Sequence, residues 1–223
     1  MLERYSRNIP AVSEEEQNLL QEKHVFIAGC GGLGGNIIEN LVRMGIGHIT
    51  AIDGDVFEAS NLNRQLLSSE AAIGCSKAET AAKRAAAVNS DIDFRVMQTF
   101  LTEENAEELI SGHDLVIDAL DNVPARLWLE DACEKQNITI IHGAILGWNV
   151  QAAVVPPGSR LLHQLYQHGA SSQKTSLPFT PAFCAAIESA EAVKYLCGRE
   201  SDLSGKLLLA DLQSLEWDII SLA

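Results

Sequence analysis

The 223-residue sequence is poor in cysteine and pairs none of it: Cys30, Cys75, Cys133, Cys184 and Cys197 are odd in number, widely spaced and without a C-x-x-C step. That pattern excludes a disulfide framework and a cysteine zinc clamp, and it points to a reducing cytoplasm. No apolar run approaches the ~18 residues that a bilayer requires. The first ten residues, Met1 to Pro10, mix charges with their apolar side chains, so neither an export signal nor a membrane span is expected. Cations are scarce too. Thirty Asp and Glu stand against sixteen Lys and Arg, a net charge of −14 that repels DNA, RNA and anionic lipid. A phosphorylated ligand must therefore find its cations gathered locally, where short-range contacts outweigh a screened global field.

What is present is ordinary globular composition, 47% hydrophobic and 21% charged, which rules out a disordered or collagen-like chain. The length suits one larger domain, read here as 1–223. The apolar, partly β-branched run from His24 leads directly into Gly29-Cys30-Gly31-Gly32-Leu33-Gly34-Gly35, and the helical spacing Ile37, Leu41, Met44 follows. That is strand, glycine turn, helix. Gly45 and Gly47 stop the helix, and His48 to Asp53 reads as the next buried strand of a βαβ unit.

The alternation continues. Lys77 to Asn89, Glu103 to Ser111 and Ala125 to Gln136 read as helices; Asp93 to Met97, Asp114 to Ala119, Ile138 to His142 and Val150 to Val155 read as strands. The acids Glu14, Glu15 and Glu16 suit the first turn of an early helix. Pro156-Pro157-Gly158 opens a polar stretch to Pro178 with little periodicity, read as a mobile crossover loop over about 156–180. A helix over Ala182 to Cys197 and two strand-like runs, Lys206 to Leu212 and Leu215 to Leu222, finish the chain. The expected fold is α/β: a Rossmann-like, doubly wound, mainly parallel sheet with helices on both faces and antiparallel strands at the C-terminal end.

A glycine turn at a helix start offers backbone N–H groups and the positive end of a helix dipole, so an anionic phosphate is its natural occupant. Asp53 stands nineteen residues after Gly34, at a strand end where a carboxylate can accept from ribose hydroxyls. To this point a dinucleotide oxidoreductase fits as well as any other nucleotide enzyme. Further residues separate the readings: Asp53-Gly54-Asp55, then Ser60-Asn61-Leu62-Asn63-Arg64-Gln65, then Lys77 at a helix start, then Asp118-Ala119-Leu120-Asp121-Asn122 at a strand end. Hydride transfer does not require those cations.

With these motifs, and with Arg4-Tyr5-Ser6-Arg7 near the start, the sequence resembles the ThiF/MoeB/HesA family, relatives of the ubiquitin-activating enzymes, along nearly its whole length. The resemblance implies an adenylyltransferase that uses ATP and magnesium (Mg2+) to activate a carboxylate. The usual acceptor is the C-terminal glycine of a small ubiquitin-like or sulfur-carrier protein ending in Gly-Gly, and pyrophosphate is released. It implies that Gly29, Gly31, Gly32 and Gly34 contact the nucleotide and that Asp53 binds its ribose. Arg64 and Lys77 match the phosphate contacts and Asp121 the magnesium-linked aspartate, while Asp55, Ser60, Asn61 and Asn122 complete the nucleotide site. Arg7 matches an arginine that reaches the neighbouring subunit's site, which implies a homodimer. Chemically the set is coherent: attack of a carboxylate on the α-phosphorus of a polyanion needs cations, and a hard ion with few protein ligands suits bridged phosphates.

The chain departs from that family in lacking the two C-x-x-C pairs, so no zinc is expected. No cysteine stands in Gly158 to Thr180 to accept an acyl group, and Cys184, just beyond, reads as a buried structural thiol. Cys30 reads as a packed side chain of the turn. His24, His48, His142, His163 and His168 show no H-x-x-H pattern and are assigned no chemistry. Trp128, Trp148 and Trp217 read as core or dimer-contact aromatics. Other readings stay open beside the carrier protein: a small-molecule or tRNA-base carboxylate as acceptor, an NAD(P)-dependent oxidoreductase, or a nucleotide-binding scaffold.

Overall fold

In the computed structural model, which describes residues 3–169 and 175–222, one sheet of eight strands runs through the molecule. The helices are α1 (Glu14–Leu20), α2 (Gly32–Met44), α3 (Lys77–Val88), α4 (Ala106–Ile110), α5 (Val123–Gln136), α6 (Leu161–Leu165) and α7 (Phe179–Leu196). The strands are β1 (His24–Ala28), β2 (His48–Ile52), β3 (Asp93–Met97), β4 (Leu115–Asp118), β5 (Ile140–Leu146), β6 (Asn149–Val155), β7 (Leu207–Asp211) and β8 (Glu216–Ile220). Their order is β3-β2-β1-β4-β5-β6-β7-β8. The first five are parallel, and β6, β7 and β8 each pair antiparallel with the strand before.

Strand alternation sorts the core into two layers. Val25, Ile27, Ile49, Leu115 and Ile117 point to the face covered by α2, α3 and α7. Phe26, Ala28, Ile52, Val116 and Ile140 point to the face covered by α4, α5 and α6. Local signals hold the ends of the helices. Ser13 and Glu16 close a capping box on α1, and Gly45 ends α2 with φ +80, where a Cβ would meet the Tyr5 ring at 2.4 Å.

The elements fall where the sequence places them, with boundary shifts of a few residues. Two differences are larger. The β5 strand extends to Leu146 and pairs with β6 as a hairpin. Part of the stretch read as a loop over 156–180 folds into α6, because Leu161, Leu162 and Tyr166 have an apolar layer to enter; residues 170–174 of that expected loop lie outside the described residues. Among the described residues no helix is long and apolar enough to cross a membrane.

Candidate nucleotide and acceptor site

The parallel strands end together along one cleft of about 820 Å³, the usual place for a ligand in an open α/β sheet. Its inner wall is the glycine turn. Gly29 has φ +107, and a Cβ there would come 2.7 Å from the carbonyl oxygen of Ala119; at Gly34 it would lie 1.8 Å from the carbonyl oxygen of Gly29. These two glycines permit close packing of β1, α2 and the end of β4, while Gly31 and Gly32 face the cleft. Asp53, after β2, staples the turn: one carboxylate oxygen accepts from the Cys30 N–H and the other from the Asp55 N–H, both at 2.8 Å. Burial raises its pKa against those two hydrogen bonds.

The cations arrive from two separate segments. Lys77, at the first position of α3, is buried with its ammonium 3.0 Å from Asp55. Arg64 donates through Nη1 to the Ser60 carbonyl and to Asn63 Oδ1, both at 2.9 Å. Asp121 and Asn122 follow β4; Asn122 caps α5 by accepting from the Ala125 N–H at 3.0 Å. Gly29, Gly31, Gly32, Asp53, Asp55, Arg64, Lys77, Asp121 and Asn122 thus line one cavity.

Three expected contacts, Gly34, Ser60 and Asn61, are not among its lining residues. Gly34 is buried in the turn's packing. The Ser60 hydroxyl bonds to Glu58 at 3.4 Å, and Asn61 is buried with its side-chain oxygen accepting from the Glu58 N–H at 3.0 Å; both serve the local 3₁₀ turn at Ala59–Asn61. Arg7 is exposed on the N-terminal segment and outside this chain's own cleft.

Other lining residues carry no role in the sequence reading. Phe100 sets its ring at the rim, so close to Gly54 that a Cβ there would lie 2.5 Å away. Gln65 is buried, and its side-chain oxygen has no hydrogen-bond partner among the described residues. Arg126, Gln151 and Tyr166 line the outer half above the buried pair Asp118 and His142, which are 2.7 Å apart. His142, assigned no chemistry by the sequence reading, is therefore an interior strand residue with a fixed partner. Trp148 and Trp217 are exposed and so not core. Cys184 is buried with Sγ 3.6 Å from Glu188 Oε2; burial and that carboxyl push the thiol well up, away from nucleophilic use. Burial raises Cys30 likewise.

The site defines a class: an α/β protein with a glycine turn, two cations and an aspartate gathered at the strand ends, the arrangement of a nucleotide-handling enzyme. The chain belongs to the ThiF family, which its residues 5–223 match, and it is an enzyme of that family's adenylyltransferase type. It is 32% identical to the SAMP-activating enzyme E1 of Haloferax volcanii, over 98% of this chain and 84% of that protein. It is equally 32% identical to the sulfur carrier protein adenylyltransferase of Thermus thermophilus, over 94% and 83%. Against adenylyltransferase and sulfurtransferase MOCS3-1 of Zea mays, also 32% identical, the chain spans 50% of the relative's length. The fold matches that of E. coli MccB crystallised with ATP, at a TM-score of 0.86 and 22% identity over 100% of this chain and 72% of that one.

Proposed function

We propose that the protein, acting as one adenylation unit, uses ATP to activate the C-terminal carboxylate of a small ubiquitin-like sulfur-carrier protein ending in Gly-Gly. The carboxylate attacks the α-phosphorus, an acyl-adenylate forms, and pyrophosphate leaves. The observation that carries this reading is the gathering of Gly31, Gly32, Asp53, Arg64, Lys77 and Asp121 around one cleft in a chain of net charge −14. The relatives named sulfur carrier protein adenylyltransferase and SAMP-activating enzyme E1 support it.

Each residue has a part. The glycine turn gives backbone N–H groups to phosphate, and Asp53, already aligned by two backbone donors, has lone pairs left for ribose hydroxyls. Phe100 presents a ring face on which a purine can stack. Lys77 and Arg64 exchange their present partners for phosphate oxygens and oppose the charge growing on the pyrophosphate. Among the described residues no group of three or more His, Cys, Asp or Glu forms a metal cage. The cleft carboxylates Asp55 and Asp121 fit Mg2+, which keeps waters and takes phosphate oxygens with one or two carboxylates. Asp121 would hold the ion, whose part is to neutralise phosphate charge. Arg7, outside its own cleft, acts in the site of a second subunit in a homodimer.

ATP–pyrophosphate exchange tests the reading. Exchange that depends on a carrier ending in Gly-Gly, and that falls about a hundredfold in Lys77→Ala, is the expected result. A nicotinamide absorbance change with no exchange across such carriers would replace this reading with the oxidoreductase one.

A further inference from the structure

Beneath the outer half of the cleft, five polar side chains from separate elements share one network: Asp118 ends β4, Arg126 lies on α5, His142 in β5, Gln151 in β6, and Tyr166 follows α6. Proton accounting constrains it. His142 Nδ1 is 2.7 Å from Asp118 Oδ2, and burial lowers the imidazole's pKa, so the ring is neutral, donates from Nδ1 and accepts at Nε2. Gln151 Nε2 donates to that nitrogen at 3.1 Å and to the Tyr166 hydroxyl at 2.6 Å. Arg126 Nη1 donates to the same hydroxyl at 2.6 Å.

The phenolic oxygen thus receives two donors, and its own proton needs an acceptor. Among the described residues the one in reach is His142 Nε2, at 3.3 Å and already engaged by Gln151. Tyr166, 8% exposed, lines the cleft, and two donors pulling on its oxygen strengthen the O–H as a donor. Burial pushes its pKa up to about 12, so the proton stays on.

Its place in the cleft says what it meets. Its partners stand on α5, β5 and β6, and those two strands lie beyond β4 from β1, which leads into the glycine turn. Arg126 ties it to the segment that follows β4 by donating Nη2 to the Leu120 carbonyl at 2.6 Å. The junction between acyl group and α-phosphate must fall between the two sides. Arg126 is ion-paired with Asp118, its Nε 3.3 Å from Oδ2, and donates to Tyr166, Leu120 and Gly143, which leaves the uncharged Tyr166 hydroxyl as the donor with a proton to offer at the acyl end. A neutral donor orients a carboxylate with less quenching of its nucleophilicity than a cation would bring.

We infer that the Tyr166 hydroxyl donates to the acyl oxygen of the acceptor, as carboxylate before adenylation and as carbonyl after it. The inference rests on the adenylation reading, and its test separates the two. Titrations would use AMP and glycyl-sulfamoyl-adenosine, a stable mimic of glycyl adenylate. In Tyr166→Phe the mimic should bind roughly tenfold more weakly and AMP within twofold of wild type. Equal losses for both ligands, or none for either, overturn the inference while leaving adenylation standing; a wild-type protein that binds neither overturns adenylation itself. A second measurement needs no variant: a phenol that donates a hydrogen bond shifts its near-ultraviolet absorption to the red. The mimic should produce that tyrosine shift in the wild-type protein and AMP should not; the absence of a shift with bound mimic also overturns the inference.

Discussion

The interior of the single sheet and its C-terminal edge are built differently. In β1 and β4 the apolar residues are buried on both faces, and the glycine turn above them is held by backbone packing at Gly29 and Gly34 and by the Asp53 carboxylate. In β8 all five residues are exposed, Trp217 and Ile219 among them, and the acids Asp211, Glu216 and Asp218 face the cleft from this end. Between the two lies the buried network of Asp118, Arg126, His142, Gln151 and Tyr166. The contrast separates two ways of building a cleft wall: at Gly29 and Gly34 the geometry comes from backbone packing that tolerates no added atom, and beside the antiparallel strands it comes from side chains that hold one another.

The largest test of that contrast is Gly34→Ala. A Cβ placed 1.8 Å from the Gly29 carbonyl oxygen cannot be relieved by a rotamer change, so backbone must move. A loss of about 3 kcal/mol or more in denaturant unfolding is expected; an unchanged midpoint would show that the turn yields.

Next in size is the pH response of Glu188, buried on α7 against Gly143 and Cys184. Burial, then the charge of Asp118, raises its pKa well above the ordinary value of 4.5. The folded state therefore keeps a proton that the unfolded chain releases above that value. Its contribution is full below about 4.5 and declines as pH rises toward the folded pKa, by at most ~1.4 kcal/mol per pH unit. Glu188→Gln cannot ionise, so its unfolding free energy should fall less steeply with rising pH than that of the wild type. Parallel curves would mean that the carboxyl is solvated after all.

The smallest effect sharpens the comparison directly. Ile219→Thr on β8, at a position 51% exposed, should change stability by no more than about 0.5 kcal/mol. Ile27→Val on β1, fully buried, should cost about 1 kcal/mol. Equal values would mean that β8 is covered in solution.

The nucleotide half was legible because its signals are local or follow strand order. A glycine run after an apolar strand, an aspartate at the next strand end and an asparagine at a helix start each depend on a few neighbours. Ser60 and Asn61, expected from the family resemblance, hold their own 3₁₀ turn in this structure. The His142 pair was illegible, since Asp118 lies twenty-four positions earlier and only the parallel pairing of β4 with β5 sets His142 beside it. Tyr166 needed more: α6 must first bury Leu161 and Leu162 before the hydroxyl reaches Arg126.

Residue order alone determined the strand and helix alternation, the phosphate-ready turn and the types of charge that would attend it, because steric limits and periodicity act over short stretches of chain. Tertiary structure decided which of those charges share one cavity, and it alone created the buried proton network, because hydrogen bonds between remote strands exist only after the sheet has closed and excluded water from them.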